Sequence, residues 1–93
     1  MALIIKSNLD TGTTDPKNGT DFTFEELQAA VGGFIEIIKL RKSDLILVVD
    51  EEGKCKNLPV NYFATKVARW AGAIMERDCI CGDALLCKDR EVK

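Results

Sequence analysis

The chain contains no histidine. That removes the Ser/His and Cys/His dyads of hydrolytic enzymes, and with them the one side chain that titrates near neutrality without a perturbed pKa. The remaining acid–base candidates, Asp50, Glu51 and Glu52, are consecutive and precede Gly53, the pattern of a solvated turn rather than of a catalytic pair. The expectation is a protein that is not an enzyme. Basic excess is also missing: thirteen Lys and Arg stand against fifteen Asp and Glu, for a formal net charge of -2. A protein that binds DNA or RNA by neutralising phosphates needs the opposite balance. No run of eighteen apolar residues occurs, so no membrane-spanning helix is expected. The opening Met1-Ala2-Leu3-Ile4-Ile5-Lys6 is a short apolar stretch without the basic region of a signal peptide, which points to a cytoplasmic location. Gly12 and Gly19 are followed by no Gly-Lys-Ser/Thr, so they form no phosphate-binding loop. Internal repeats and low-complexity segments are absent as well.

What remains is a single small domain over residues 1–93, 46% apolar and 30% charged. Its four cysteines are Cys55, Cys79, Cys81 and Cys87. In a reducing compartment they read as thiols packed as small hydrophobes. Zinc is the competing reading, because Cys79 and Cys81 would share one face of a strand and Cys87 follows. Structural zinc favours pairs separated by two to four residues; Cys55 has no neighbouring ligand, and histidine is absent. No metal and no cofactor is therefore expected.

Along the chain, Leu3, Ile4 and Ile5 mark a first strand over residues 2–7, and residues 8–21 form a long polar loop, mobile or functional, with an Asn18-Gly19 turn. Thr23 and Glu26 have the spacing of a capping box, and Phe22 with Leu27 that of a hydrophobic staple. Leu27, Ala30 and Val31 fall on one face, and Gly32 supplies the left-handed residue that ends the helix. Residues 34–40 and 45–50 are strands joined by Arg41-Lys42-Ser43-Asp44. Glu36, in register with Phe34 and Ile38, lies at a sheet margin or faces a ligand. A turn at 51–54 leads to a short strand around Cys55. Asn61 caps a second helix whose stripe is Phe63, Val67, Trp70, Ala71 and Ile74, with Lys66 and Arg69 outside and Trp70 in the core. Ala84 to Cys87 is a last strand, and residues 89–93 fray. The fold class is α+β: a small, mainly antiparallel sheet with two helices in the order β-α-β-β-(β)-α-β.

Four segments carry a resemblance: Val31-Gly32-Gly33-Phe34-Ile35-Glu36, Leu47-Val48-Val49-Asp50-Glu51-Glu52-Gly53-Lys54, Leu58-Pro59-Val60-Asn61, and Asp78-x-Ile80-x-Gly82-x-Ala84-Leu85. Over residues 22–88 the chain resembles a family of small proteins, a domain of unknown function common in phages, prophages, plasmids and other mobile elements. The resemblance implies a mobile-element origin and a non-enzymatic accessory role, with no catalytic residues to carry over. The long loop and the thiols at 79, 81 and 87 depart from the family's pattern.

Two function classes follow. One is a binding protein acting by occupancy, its partner a nucleotide signal of the host or a host defence protein, with Asn61, Tyr62, Glu36, Lys54 and Gly33 as candidate contacts. The other is an interaction module that only self-associates. Ile35, Ile37 and Leu45 to Val49 do not alternate with polar residues, and two short helices are expected to cover one side of the sheet. The uncovered apolar face then makes a homo-oligomer through the hairpin.

Overall fold

The computed structural model describes residues 2–41, 43–75 and 77–92. Met1 of the expected first segment, Lys42 of the hairpin connection and Lys93 of the expected tail lie outside the described residues. The elements are strand β1 (Ala2–Ile5), strand β2 (Thr11–Thr14), helix α1 (Phe24–Val31), strands β3 (Ile35–Lys39) and β4 (Leu45–Asp50), helix α2 (Tyr62–Trp70) and strand β5 (Ala84–Lys88). One five-stranded antiparallel sheet runs in the order β2-β1-β5-β4-β3. The α+β expectation holds. Among the described residues no helix is long and apolar enough to cross a membrane.

Local chemistry sets α1 as expected. The Thr23 side chain accepts from the Glu26 N–H, and the Glu26 carboxylate accepts from the Thr23 N–H. Gly32, at φ 85°, closes the helix by donating to the Gln28 carbonyl at 2.7 Å.

Side-chain alternation along the inner strands builds two cores rather than one. Ala2, Ile46, Val48, Leu85 and Cys87 meet Phe22, Leu27 and Val31 on the α1 side. Ile5, Leu47, Val49 and Ala84 meet Ala64, Ala68 and Ile80 on the α2 side. The expectation that both helices share one side is therefore corrected. The unbroken apolar run of β4 is a strand buried on two faces, each under its own helix.

Four further expectations are revised. Within residues 8–21, Thr11–Thr14 pairs with β1, Ala2 opposite Thr14 and Ile5 opposite Thr11. An edge strand has one solvated side, so β-branched threonines serve there without apolar residues. The order thus becomes β-β-α-β-β-α-β. Around Cys55 there is no strand but a series of turns over residues 51–57. The Glu52 N–H bonds to Asp50 Oδ1, and the Gly53 N–H to the Asp50 carbonyl. The expected tail is anchored: Asp89–Glu91 forms a 3-10 turn, Glu91 is buried, and its carbonyl accepts from the Phe22 N–H at 2.6 Å. Trp70 is 90% exposed, not core.

The displacement of Trp70 has a polar cause. Asn61 Nδ2 donates to the carbonyls of Ile5 and Gly82, while its Oδ1 caps α2 by accepting from the Ala64 N–H. That bracket fixes the helix's rotation, turning Ala64, Thr65 and Ala68 toward the sheet and Phe63 and Trp70 outward. Small residues on the inner face let the helix sit close to the strands. The helix ends at Trp70, so Ile74 of the expected stripe lies beyond it.

Candidate functional site

A single ridge of α2 shapes the site. Asn61, Thr65 and Arg69 are spaced four residues apart, on one side of the helix. The Ile80 carbonyl accepts from the Asn61 N–H at 2.7 Å, and the Ile80 N–H donates to Thr65 Oγ1 at 2.9 Å. Arg69 donates to the Asp78 carbonyl through Nη2 and Nε, at 2.8 and 3.2 Å. Segment 78–82 is thus clamped in an extended course, with Ile80 buried in the α2-side core. Its neighbours face the other way, and the Cys79 and Cys81 sulfurs stand 3.9 Å apart.

Those sulfurs look into a cleft of about 620 Å³ where α2 leaves the β3–β4 end of the sheet uncovered. Ile38 and Val49 form part of its apolar wall, and Glu36, Arg41, Glu51 and Lys54 supply charge. Gly53 closes the far side. A Cβ there would collide with the Cys81 carbonyl, so only glycine lets the turn approach segment 78–82 this closely.

The charges are largely matched. Lys54 Nζ pairs with Asp78 Oδ1, which also accepts from the Cys79 N–H at 2.8 Å. The hydrogen bond from Lys54, reinforced by that N–H, holds the Asp78 carboxyl below the ordinary range, and Asp78 in turn raises the Lys54 ammonium. Burial, then the hydrogen bond with Cys79, pushes the Cys81 thiol up. Neither Lys54 nor Cys81 is set up as a nucleophile at neutral pH. Cys87 lies in the α1-side core, where burial pushes its thiol to about 11. It is therefore across the sheet from the Cys79–Cys81 pair. Among the described residues no three His, Cys, Asp or Glu side chains are grouped to hold a metal ion.

The candidate residues divide sharply. Glu36 and Lys54 come together in the cleft, and Glu36 stands on an edge strand, as the margin reading has it. Gly33 is outside it, packed against the Asp50–Lys56 ion pair. Asn61 is completely buried with its amide donors and acceptor all engaged, so its role is structural. Tyr62 is 70% exposed on the first turn of α2 and does not line the cleft. Sequence reasoning passed over Arg41 and Asp78. The Cys79-x-Cys81 spacing was the available signal that this segment faces a common space.

A family model for a domain of unknown function matches residues 4–93, nearly the whole chain. The chain belongs to the DUF3846 family. No curated protein and no solved structure matches it. In this DUF3846 domain the matched segment takes in the α2 ridge, every wall of the cleft and, apart from Ala2 and Leu3 on β1, both cores.

Proposed function

We propose that this domain is a non-enzymatic accessory protein of a phage or other mobile element, acting by occupancy of the cleft, and that its target is a protein segment rather than a nucleotide. The observation that carries this choice is the cleft's charge. Asp78 is paired with Lys54 and the enclosed Asp50 with Lys56, which leaves Glu36 and Glu51 against Arg41 on the walls. A polyphosphate would meet net negative potential there, whereas a lysine, arginine or amide side chain would find acceptors above an apolar wall. The missing histidine and the raised Cys81 thiol support binding over catalysis. The mobile-element origin is supported by the resemblance of the four sequence segments. Blocking a host defence protein is the occupancy role that fits a basic or amide-bearing protein segment.

The test is an amide-resolved NMR titration with a lysine-rich peptide and, separately, with ATP. The peptide is expected to shift Glu36, Lys54, Cys79 and Cys81, and ATP to leave them in place. Shifts from ATP alone would reverse the choice of target, and silence with both would remove the cleft as the binding site.

A further inference from the structure

The sheet ends in two unlike edges. β2, Thr11-Gly12-Thr13-Thr14, is polar and carries a glycine, whereas β3, Ile35-Glu36-Ile37-Ile38-Lys39, is mostly apolar. An apolar edge strand is a template for another strand unless something blunts it. Hydrogen bonding in the β3–β4 hairpin says which β3 groups are available. The Leu40 N–H donates to the Leu45 carbonyl, and the Glu51 N–H to the Phe34 carbonyl. In an antiparallel pair, bonded and non-bonded positions alternate, so 34, 36, 38 and 40 turn their main-chain groups toward β4. Ile35, Ile37 and Lys39 turn theirs away from the sheet. Ile37 is also 42% exposed, and Phe34 beside the strand 61%.

We infer that β3 pairs antiparallel with β3 of a second copy of this chain, about a twofold axis at Ile37, joining two sheets into one and setting the two clefts side by side. The register follows from the residues. Centring on Glu36 would set two carboxylates opposite each other, and like charges directly opposite destabilise a pair. Centring on Ile38 would slide Ile35 beyond the partner strand, opposite Arg41. Centring on Ile37 keeps all five residues of the strand paired, Ile35 opposite Lys39 and Glu36 opposite Ile38, with no like charges facing. The three outward-facing positions then exchange about six main-chain hydrogen bonds. One patch satisfies both copies, as a twofold interface requires.

The pairing also changes the site. Glu36 and Ile38 line the cleft, on the α2 side of the sheet. Residues directly opposite in a sheet point to the same face. Ile38 of the second copy therefore stands beside Glu36 at the cleft's mouth and extends its apolar wall. The inference rests on the edge and not on the cleft's ligand, so mass measurement and peptide titration fail independently.

Sedimentation equilibrium of the intact protein at micromolar concentration is expected to show a species of twice the 10.3 kDa chain mass. Ile37→Lys places like charges across the axis, and such juxtaposition should weaken the dimer by roughly a hundredfold. Ile37→Pro removes only an outward N–H, which an edge strand tolerates, and should give a folded monomer by circular dichroism. In Ile37→Cys the two α-carbons would lie about 5.5 Å apart, within disulfide reach, so mild oxidation should yield an intersubunit bridge between the introduced thiols in the peptide map. A wild-type chain that stays at 10.3 kDa throughout overturns the inference. A dimer that survives both Ile37→Lys and Ile37→Pro would place the interface elsewhere and overturn it equally.

Discussion

Lys56 Nζ lies 2.8 Å from Asp50 Oδ2, and the pair fills the space where a side chain at position 33 would go. The Asp50 side chain is almost wholly enclosed while the Lys56 side chain is more than a third exposed. The pair ties the end of β4 to the far end of the turns that carry Gly53 and Lys54 to the cleft. Gly33 leaves room for the pair, which a side chain there would displace, and its own backbone angle is ordinary.

This pair makes stability depend on acid. Burial works to raise the Asp50 carboxyl, but the Lys56 hydrogen bond and the Glu52 N–H outweigh it and hold it below its ordinary value. A depressed carboxyl contributes stability that is complete above its unfolded value of about 3.9 and is lost as pH falls through its folded value. Lys56 is raised, chiefly by its hydrogen bond to Asp50, so its contribution is present at neutral pH and lost only as pH climbs through its folded value, above about 10.4. Lys56→Gln removes the largest force lowering Asp50 and leaves burial in place. Acid unfolding followed by circular dichroism should then begin at a higher pH in this variant than in the wild type. Coincident acid curves would mean that the pair is open in solution.

Asn61→Ala should be among the most destabilising single changes in the chain. It strips the cap from α2 and leaves the Ile5 and Gly82 carbonyls without their donor, at a cost of roughly 3 kcal/mol in denaturant melts. A loss near that of an ordinary surface substitution would show that water replaces the amide.

Gly53→Ala should open the cleft. The added methyl meets the Cys81 carbonyl, a main-chain atom held in place by the clamp on Ile80, so the turn must retreat. A cost of about 2 kcal/mol is expected, as for overpacked cores, with amide shifts concentrated at residues 79–82. Shifts confined to residues 51–57 would mean that the turn yields without touching the opposite wall.

Trp70 reports the rotation of α2 directly, because it is the chain's one tryptophan. At 90% exposure its fluorescence should already be that of a solvated indole in the folded state and be readily quenched by acrylamide. Trp70→Ala should change stability by no more than about 0.5 kcal/mol. A blue-shifted, protected emission would instead bury the ring, as the apolar stripe of the sequence suggests.

Adjacent residues settled much of the fold. The Thr23–Glu26 box, Gly32 and the Asn61 cap act over three or four residues, so the first helix and the start of the second were legible from spacing alone. The unbroken apolar run Leu45 to Val49 marked a strand with two apolar faces. The partition of the helices between those faces was not legible, because periodicity shows that a face is buried without showing what covers it. Thr11–Thr14 is a strand by pairing with β1, and residues 89–91 are held by distant partners, the Glu91 carbonyl by the Phe22 N–H and the Asp89 N–H by the Asp44 carbonyl. The rotation of α2 was decided by Asn61 reaching Ile5, 56 positions away, an interaction outweighing a local preference to bury Trp70. The cleft belongs to the same class. Glu36, Gly53, Lys54 and Cys79 to Cys81 are distant along the chain, and clamping bonds across tertiary contacts bring them to one space, whereas each cap needed only its own turn of helix.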